Sequence, residues 1–210
     1  MSGLDYTLYL VTDTPERYPG GLLAGVDAAV KGGASIVQYR ATTGARRQLY
    51  ETGLALRDLL RPRGVPLIIN DQVDLALAID ADGVHVGQND LPVKIVRQMI
   101  GSKKLLGLSI TAAAQLDTIP EKTVDYLGIG PVFPTISKDD AAPALGLEQL
   151  ARLTAHTQLP VIAIGGITLE NAASVFAAGV AGLAVISALS LASDPLAVAR
   201  SFRRTKPIRP

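Results

Sequence analysis

Two carboxylates and two cations in this sequence could do chemistry together. Asp71 closes Ile69-Asn70-Asp71 and Asp90 closes Gly87-Gln88-Asn89-Asp90, each just past a short, mainly apolar run. Carboxylates carried on neighbouring parallel strands, roughly 5 Å apart, can converge on one hard cation. Magnesium suits such a pair, because it keeps several waters and takes one or two carboxylates together with substrate phosphates. Each Asp could equally cap the helix after it, where a side-chain oxygen accepts from the first free N–H groups. The residues alone leave the two roles level. Asp74, one turn further on, suits the positive end of a helix dipole.

Arg40 and Lys138 are natural phosphate grips. Arg40 follows Val37-Gln38-Tyr39, where its planar fork can meet phosphate oxygens two at a time. Lys138 ends the long run Gly130-Pro131-Val132-Phe133-Pro134-Thr135-Ile136-Ser137-Lys138, whose hydroxyls and charge suit an anion-binding lid; a plain surface loop is the alternative. Gly165-Gly166 and Ser187 follow the last two apolar runs. Without side chains in the way, backbone N–H groups there could approach phosphate oxygens. A tight turn needing positive φ explains the glycines but not their pairing with Ser187. His85, between Val84 and Val86, either faces the same mouth or packs. His156 precedes the seventh run and reads as a surface residue on the opposite face.

The elements that must position these groups are short β-branched runs with helical stretches between them. The runs are Leu8–Val11, Ser35–Tyr39, Pro66–Asn70, Gly83–Val86, Leu105–Ser109, Tyr126–Gly130, Val161–Ile164 and Leu183–Ile186. The clearest helices are Leu22–Lys31, Ala45–Leu60, Leu147–Thr154 and Leu169–Ala177, with Pro195–Phe202 after the last strand. Gly33, Gly64, Gly101 and Gly179 suit helix stops. Strands alternating with helices imply parallel pairing and right-handed crossovers. An open doubly wound sheet would place a Gly-rich turn after its first strand, and Thr12-Asp13-Thr14-Pro15 is none. Eight units predict a single (β/α)8 TIM barrel, an α/β fold whose C-terminal strand ends carry the chemistry. Those ends are polar or Gly here: Gln38 and Arg40, Asn70 and Asp71, Gln88 and Asp90, Ser109, Thr135 to Lys138, Gly165 and Gly166, Ser187.

Composition narrows the function. The 210 residues allow one large core, trimmed for such a barrel, and residues 203–210 read as a frayed, solvated tail around Arg203, Arg204 and Lys206. A net charge of +1 with scattered cations, 4% aromatic residues and no Trp speak against a nucleic-acid platform. The absence of Cys excludes disulfides, thiolate metal sites and a Cys nucleophile. No apolar run approaches the roughly 20 residues of a membrane helix, and no signal peptide is read before Leu8, so a cytoplasmic enzyme is expected. Whether copies of the chain assemble into a homo-oligomer stays open.

From Leu8 to about Phe202 the sequence resembles the thiamin-phosphate synthase (thiamin-phosphate pyrophosphorylase) family. The resemblance is carried in order by Leu8-Tyr9-Leu10-Val11-Thr12-Asp13, Val37-Gln38-Tyr39-Arg40, Ile69-Asn70-Asp71, Gly83-Val84-His85-Val86-Gly87-Gln88-Asn89-Asp90, Gly130-Pro131-Val132-Phe133-Pro134-Thr135 and Ala163-Ile164-Gly165-Gly166-Ile167. It implies joining hydroxymethylpyrimidine diphosphate to a thiazole phosphate, with loss of pyrophosphate. Gln38, Arg40, Asn70, Ser109 and Lys138 would hold the pyrimidine diphosphate, with Tyr39, Ala41 and Thr42 in the same segment. Arg40, Ser109 and Lys138 would carry the catalysis. Asp71 and Asp90 would bind magnesium. Thr135, Ile136, Ser137, Gly166, Ile186 and Ser187 would receive the thiazole phosphate.

One departure stands out. Family members usually follow the Arg with an acidic residue and then Lys, whereas this chain has Ala41-Thr42. A weaker grip on the diphosphate is expected, and a Michaelis constant unmoved by Thr42→Lys would overturn that expectation. Arg46 or Arg47 could stand in for the Lys or simply face water. Thiazole tautomerases, a related barrel family, tend to carry His where Pro131 stands and to lose parts of the diphosphate site. Pro131, Asn70, Asp71, Asp90 and Lys138 favour the synthase, and Thr42 pulls the other way. A non-catalytic ligand-binding barrel would keep the thiazole pocket while its metal site decayed, against which the intact Asp pair argues.

Overall fold

Each apolar run alternates, so one set of side chains faces the barrel axis and the other faces the helices. The computed structural model, which describes residues 3–41, 43–135 and 143–207, follows that rule around a complete ring. In chain order the elements are β1 (Leu8–Val11), α1 (Leu22–Gly32), β2 (Ile36–Tyr39), α2 (Arg46–Leu60), β3 (Leu67–Asn70) and α3 (Val73–Ala78). They continue through β4 (Gly83–Val86), α4 (Val93–Ile100), β5 (Leu105–Ile110), α5 (Ala113–Leu116), β6 (Tyr126–Ile129) and α6 (Gly146–Ala155). The chain ends with β7 (Val161–Ile164), α7 (Leu169–Ala177), β8 (Gly182–Val185), α8 (Ser187–Ser190) and α9 (Pro195–Thr205).

Every strand pairs in parallel with its sequence neighbours, and β1 pairs with β8 to close the barrel. The expected (β/α)8 barrel is therefore observed. Its core has two layers. Leu8, Leu10, Val37, Leu67, Ile69, Val84 and Leu106 pack outward under the helices, together with Leu56, Val96 and Val175. Tyr9, Ile36, Ile68, Leu105, Tyr126, Ile162 and Ala184 fill the lumen. Fully burying one such aliphatic chain stabilises the fold by about 1.5–3 kcal/mol, so both layers are needed to hold a barrel this short of loops.

The glycines read as helix stops, Gly33, Gly64, Gly101 and Gly179, all take positive φ. The last strand begins one residue earlier than its apolar pattern suggests. A Cβ on Gly182 would lie 1.6 Å from the Tyr6 carbonyl oxygen, so only glycine lets this strand pass the entering chain.

The C-terminal segment corrects the sequence reading. Residues 203–205 are helical rather than frayed, and α9 is capped by Asp194, whose carboxylate accepts from the Ala197 N–H at 3.0 Å. Arg203 pairs with Asp5, and Lys206 donates to Thr7 Oγ1 at 2.8 Å and to the Ala181 carbonyl at 3.2 Å. Arg203 and Lys206 read as part of a solvated tail only while their partners, distant in sequence, are unseen, whereas Arg204 is exposed. Among the described residues no helix is long and apolar enough to cross a membrane.

Candidate active site

At the C-terminal ends of the strands the inward set turns polar and lines a cavity of about 860 Å³. Gln38, Asn70, His85 and Ser109 are successive inward positions on β2, β3, β4 and β5, and all four line it. Arg40 lies at its rim, and the backbone there is clamped by one hydroxyl. The Arg40 N–H donates to Thr12 Oγ1 at 3.0 Å, and that hydroxyl donates to the Arg40 carbonyl at 3.4 Å. Tyr39 and Ala41 do not line the cavity. By alternation the Tyr39 ring is on the helix side and packs in the outer layer, while the Ala41 carbonyl accepts from Gln72 Nε2 at 3.1 Å. Thr42 lies outside the described residues.

Asp71 and Asp90 both face this cavity. Neither caps a helix. The residues before α3 and α4 are Gln72 and Pro92, and neither helix start has a side-chain cap. Asp71 instead adopts φ 60°, a left-handed conformation that costs a non-glycine residue about 1 kcal/mol and clusters at functional sites. Its N–H donates to the His85 carbonyl at 2.8 Å, and its carboxylate accepts from Asn70 Nδ2 at 2.5 Å. The Asp90 carboxylate folds back to accept from the Gly87 N–H at 2.7 Å. Among the described residues no three His, Cys, Asp or Glu side chains gather. A cation here would rest on two carboxylates and fill its shell with water and substrate oxygens, a donor set that fits magnesium.

The nearby cations have other partners. Arg46 forms an ion pair with Asp74 and also reaches Gln72, so Asp74 meets a side chain as well as a helix end. Arg47 pairs with Glu51 at 3.1 Å on the exposed face of α2. His156 is exposed and meets Asp117 at 3.1 Å, as expected of a surface residue.

On the far side, Thr135, Gly166, Ile186 and Ser187 line the same cavity. Gly165 and Gly166 take φ of 100° and 65°. A Cβ on Gly165 would lie 2.5 Å from Pro131 Cα, and one on Gly166 2.6 Å from the Pro134 carbonyl oxygen. The glycine pair is thus required by backbone conformation and by the loop after β6, which docks through Val132 N–H to the Ile164 carbonyl at 2.9 Å and Phe133 N–H to the Gly165 carbonyl at 3.1 Å. The buried Ser190 hydroxyl donates to Asp13 at 2.9 Å and pins α8 to the loop after β1. Ile136, Ser137 and Lys138 lie outside the described residues.

Below the polar ring runs a hydrogen-bonded chain. Gln38 Nε2 donates to Tyr9 Oη at 2.8 Å, Tyr9 Oη and Tyr126 Oη are 2.8 Å apart, and Tyr126 Oη lies 3.1 Å from His85 Nδ1. His85 Nε2 then meets Ser109 Oγ at 2.9 Å. Burial, which disfavours a phenolate, pushes both tyrosines well above the usual phenol range. Of the two roles open to His85, the structure selects the one facing the mouth.

The family model described as "Thiamine monophosphate synthase" matches residues 8–189. The chain belongs to that family. It is 52% identical over 205 residues to the thiamine-phosphate synthase of Laribacter hongkongensis, covering 97% of this chain and 96% of the relative. It is 48% identical to that of Chloroflexus aurantiacus, covering 95% and 92%. A solved structure named thiamine phosphate pyrophosphorylase, from Pyrococcus furiosus, superposes with a TM-score of 0.86 at 36% identity, covering 96% of both chains.

For this thiamine monophosphate synthase family member, the sequence reading missed Tyr9 and Tyr126 as cavity residues. Period-two alternation was the available signal: Tyr9 stands between Leu8 and Leu10, which face the helices. Which face of the strand is inward only became definite once β1 was seen to pair with β2 and β8.

Proposed function

We propose that this chain joins hydroxymethylpyrimidine diphosphate to hydroxyethylthiazole phosphate, giving thiamin phosphate and pyrophosphate. The observation that carries the reading is one cavity of about 860 Å³ lined both by Arg40, Asn70, Asp71, Asp90 and Ser109 and by Thr135, Gly166, Ile186 and Ser187. Two substrates that must meet need one room, and family membership supplies the chemistry that such a room would serve.

In this reading Arg40 grips the diphosphate oxygens two at a time, with Lys138 as a second cation. Asp71 and Asp90 would hold magnesium, which when bound supplies positive charge against the leaving group. The C–O bond to the diphosphate breaks with its electron pair leaving on pyrophosphate, and the thiazole nitrogen captures the pyrimidine methylene carbon. Negative charge grows on the leaving group and positive charge on that carbon. Preorganised donors aimed at the growing negative charge accelerate such a dissociative substitution without a side-chain nucleophile. The Ser109 hydroxyl would orient the pyrimidine, while residues 165–166 and 186–187 would receive the thiazole phosphate at the strand ends where this fold recurrently binds phosphate.

The test is purified protein with both phosphorylated substrates and magnesium, read by chromatography for thiamin phosphate. Product is expected, falling at least about 100-fold in the combined Asp71→Ala, Asp90→Ala variant, a loss of ~2.7 kcal/mol in transition-state stabilisation. No product from the wild type, or undiminished product from that variant, refutes the reading.

A further inference from the structure

The chain from Gln38 to Ser109 crosses the lumen between five strands, and its direction can be derived donor by donor. The Gln38 amide nitrogen only donates, so the Tyr9 oxygen accepts and its own proton passes on. Tyr126 Oη accepts the hydrogen bond from the Tyr9 hydroxyl at 2.8 Å and donates its own O–H to His85 Nδ1 at 3.1 Å. An imidazole nitrogen that accepts carries no proton, so the neutral ring carries its proton on Nε2 and donates to Ser109 Oγ at 2.9 Å. The Ser109 oxygen is then occupied from behind, and its hydroxyl proton turns to the cavity.

We propose that His85 is a positioning residue, held as the Nε2–H tautomer by Tyr126 and fixing the Ser109 hydroxyl as a donor toward substrate. The inference rests on the reading of Ser109 as a substrate contact.

Two further observations support it. Burial keeps both phenols protonated, so neither breaks the relay by losing its proton. Two strand glycines make room for the rings. A Cβ on Gly107 would lie 2.2 Å from Tyr126 Cζ and 2.3 Å from His85 Nδ1, and one on Gly128 would lie 3.0 Å from His85 Cε1. Glycine weakens a strand interior, and its use on two adjacent strands around one imidazole marks a place built for that ring.

The direct test is nitrogen-15 NMR of the wild-type enzyme, which needs no variant to fold. The chain has two histidines, and His156→Asn assigns the signals. A neutral His85 ring protonated on Nε2 is expected; a proton on Nδ1 overturns the inference. Kinetics supply the second arm. His85→Gln, whose amide nitrogen can stand in for Nε2–H, is expected within about threefold of wild-type turnover. His85→Leu is expected to fall to the level of Ser109→Ala, and the double variant to fall no further, because residues acting as one unit are not additive. Independent, multiplying losses overturn the inference. Full turnover in Ser109→Ala refutes the substrate role of Ser109, whatever the tautomer proves to be.

Discussion

Gly107→Ala tests how tightly the lumen is built. The added methyl would sit 2.2 Å from Tyr126 Cζ, 2.3 Å from His85 Nδ1 and 2.4 Å from Tyr126 Oη, where ordinary contact needs more than an ångström of retreat. Tyr126 is buried, so retreat breaks its bonds to Tyr9 and His85, each worth about 1 kcal/mol net. Overpacking adds about 1–3 kcal/mol. Alanine in place of glycine returns about 0.5–1 kcal/mol by restricting the unfolded chain. The balance is a loss of about 2–4 kcal/mol, or a fall of about 10 °C in Tm for a chain of this size. Urea unfolding followed by circular dichroism at 25 °C gives the number directly, with Gly20→Ala as control. A Cβ there meets only the Ala24 Cβ at 3.9 Å, and its effect should stay within about 0.5 kcal/mol. If Gly107→Ala is as stable as the control with an unchanged denaturant slope, the rings are not locked and the derived relay loses its support.

Asp71→Gly relieves the left-handed strain at φ 60° and gives up, among its side-chain contacts, the exposed bond from Asn70, so stability should stay within about 1 kcal/mol of wild type while thiamin phosphate formation is lost. A large fall in Tm would show that Asp71 serves the fold instead. Burial works against ionisation of Asp5, but bonds from Thr7 and Arg203 prevail and hold its carboxyl at about 2, below the usual 3.8. A lowered carboxyl contributes fully above its unfolded pKa, and the contribution is lost as pH falls toward the folded value. Wild type should exceed Asp5→Asn by about 1 kcal/mol at pH 7 once solvent screening of this half-exposed pair is allowed for. That gap should close by about pH 2 in urea titrations, and a gap that persists there contradicts the assignment.

Most of the barrel could be read from residue order. Eight short apolar runs separated by helical stretches fixed strand number and parallel pairing, since β/α alternation leaves few other closed solutions. Strand ends at Gln38, Asn70 and Ser109 were legible as site positions because polar residues there interrupt apolar alternation. Tyr39 was not separable from Gln38 by type; only its place on the helix side distinguishes it. The Gly165-Gly166 pair was legible as special but not in cause. Positive φ was one of the causes the sequence left open, and the structure adds the packing of the loop after β6, which the local sequence does not contain.

The sequence by itself determined the fold class, the family and the polar rim, because period, punctuation and motif order are local properties of the chain. Only the tertiary structure decided what Asp71, Asp90 and His85 touch, since those partners are set by which strands are neighbours and at what register. Asp71 exchanges a cap for a strained turn against β4, and His85 finds Tyr126 across the lumen, 41 residues away in sequence. Barrel closure makes such contacts, which lie well beyond the few residues over which strand and helix periodicity is read.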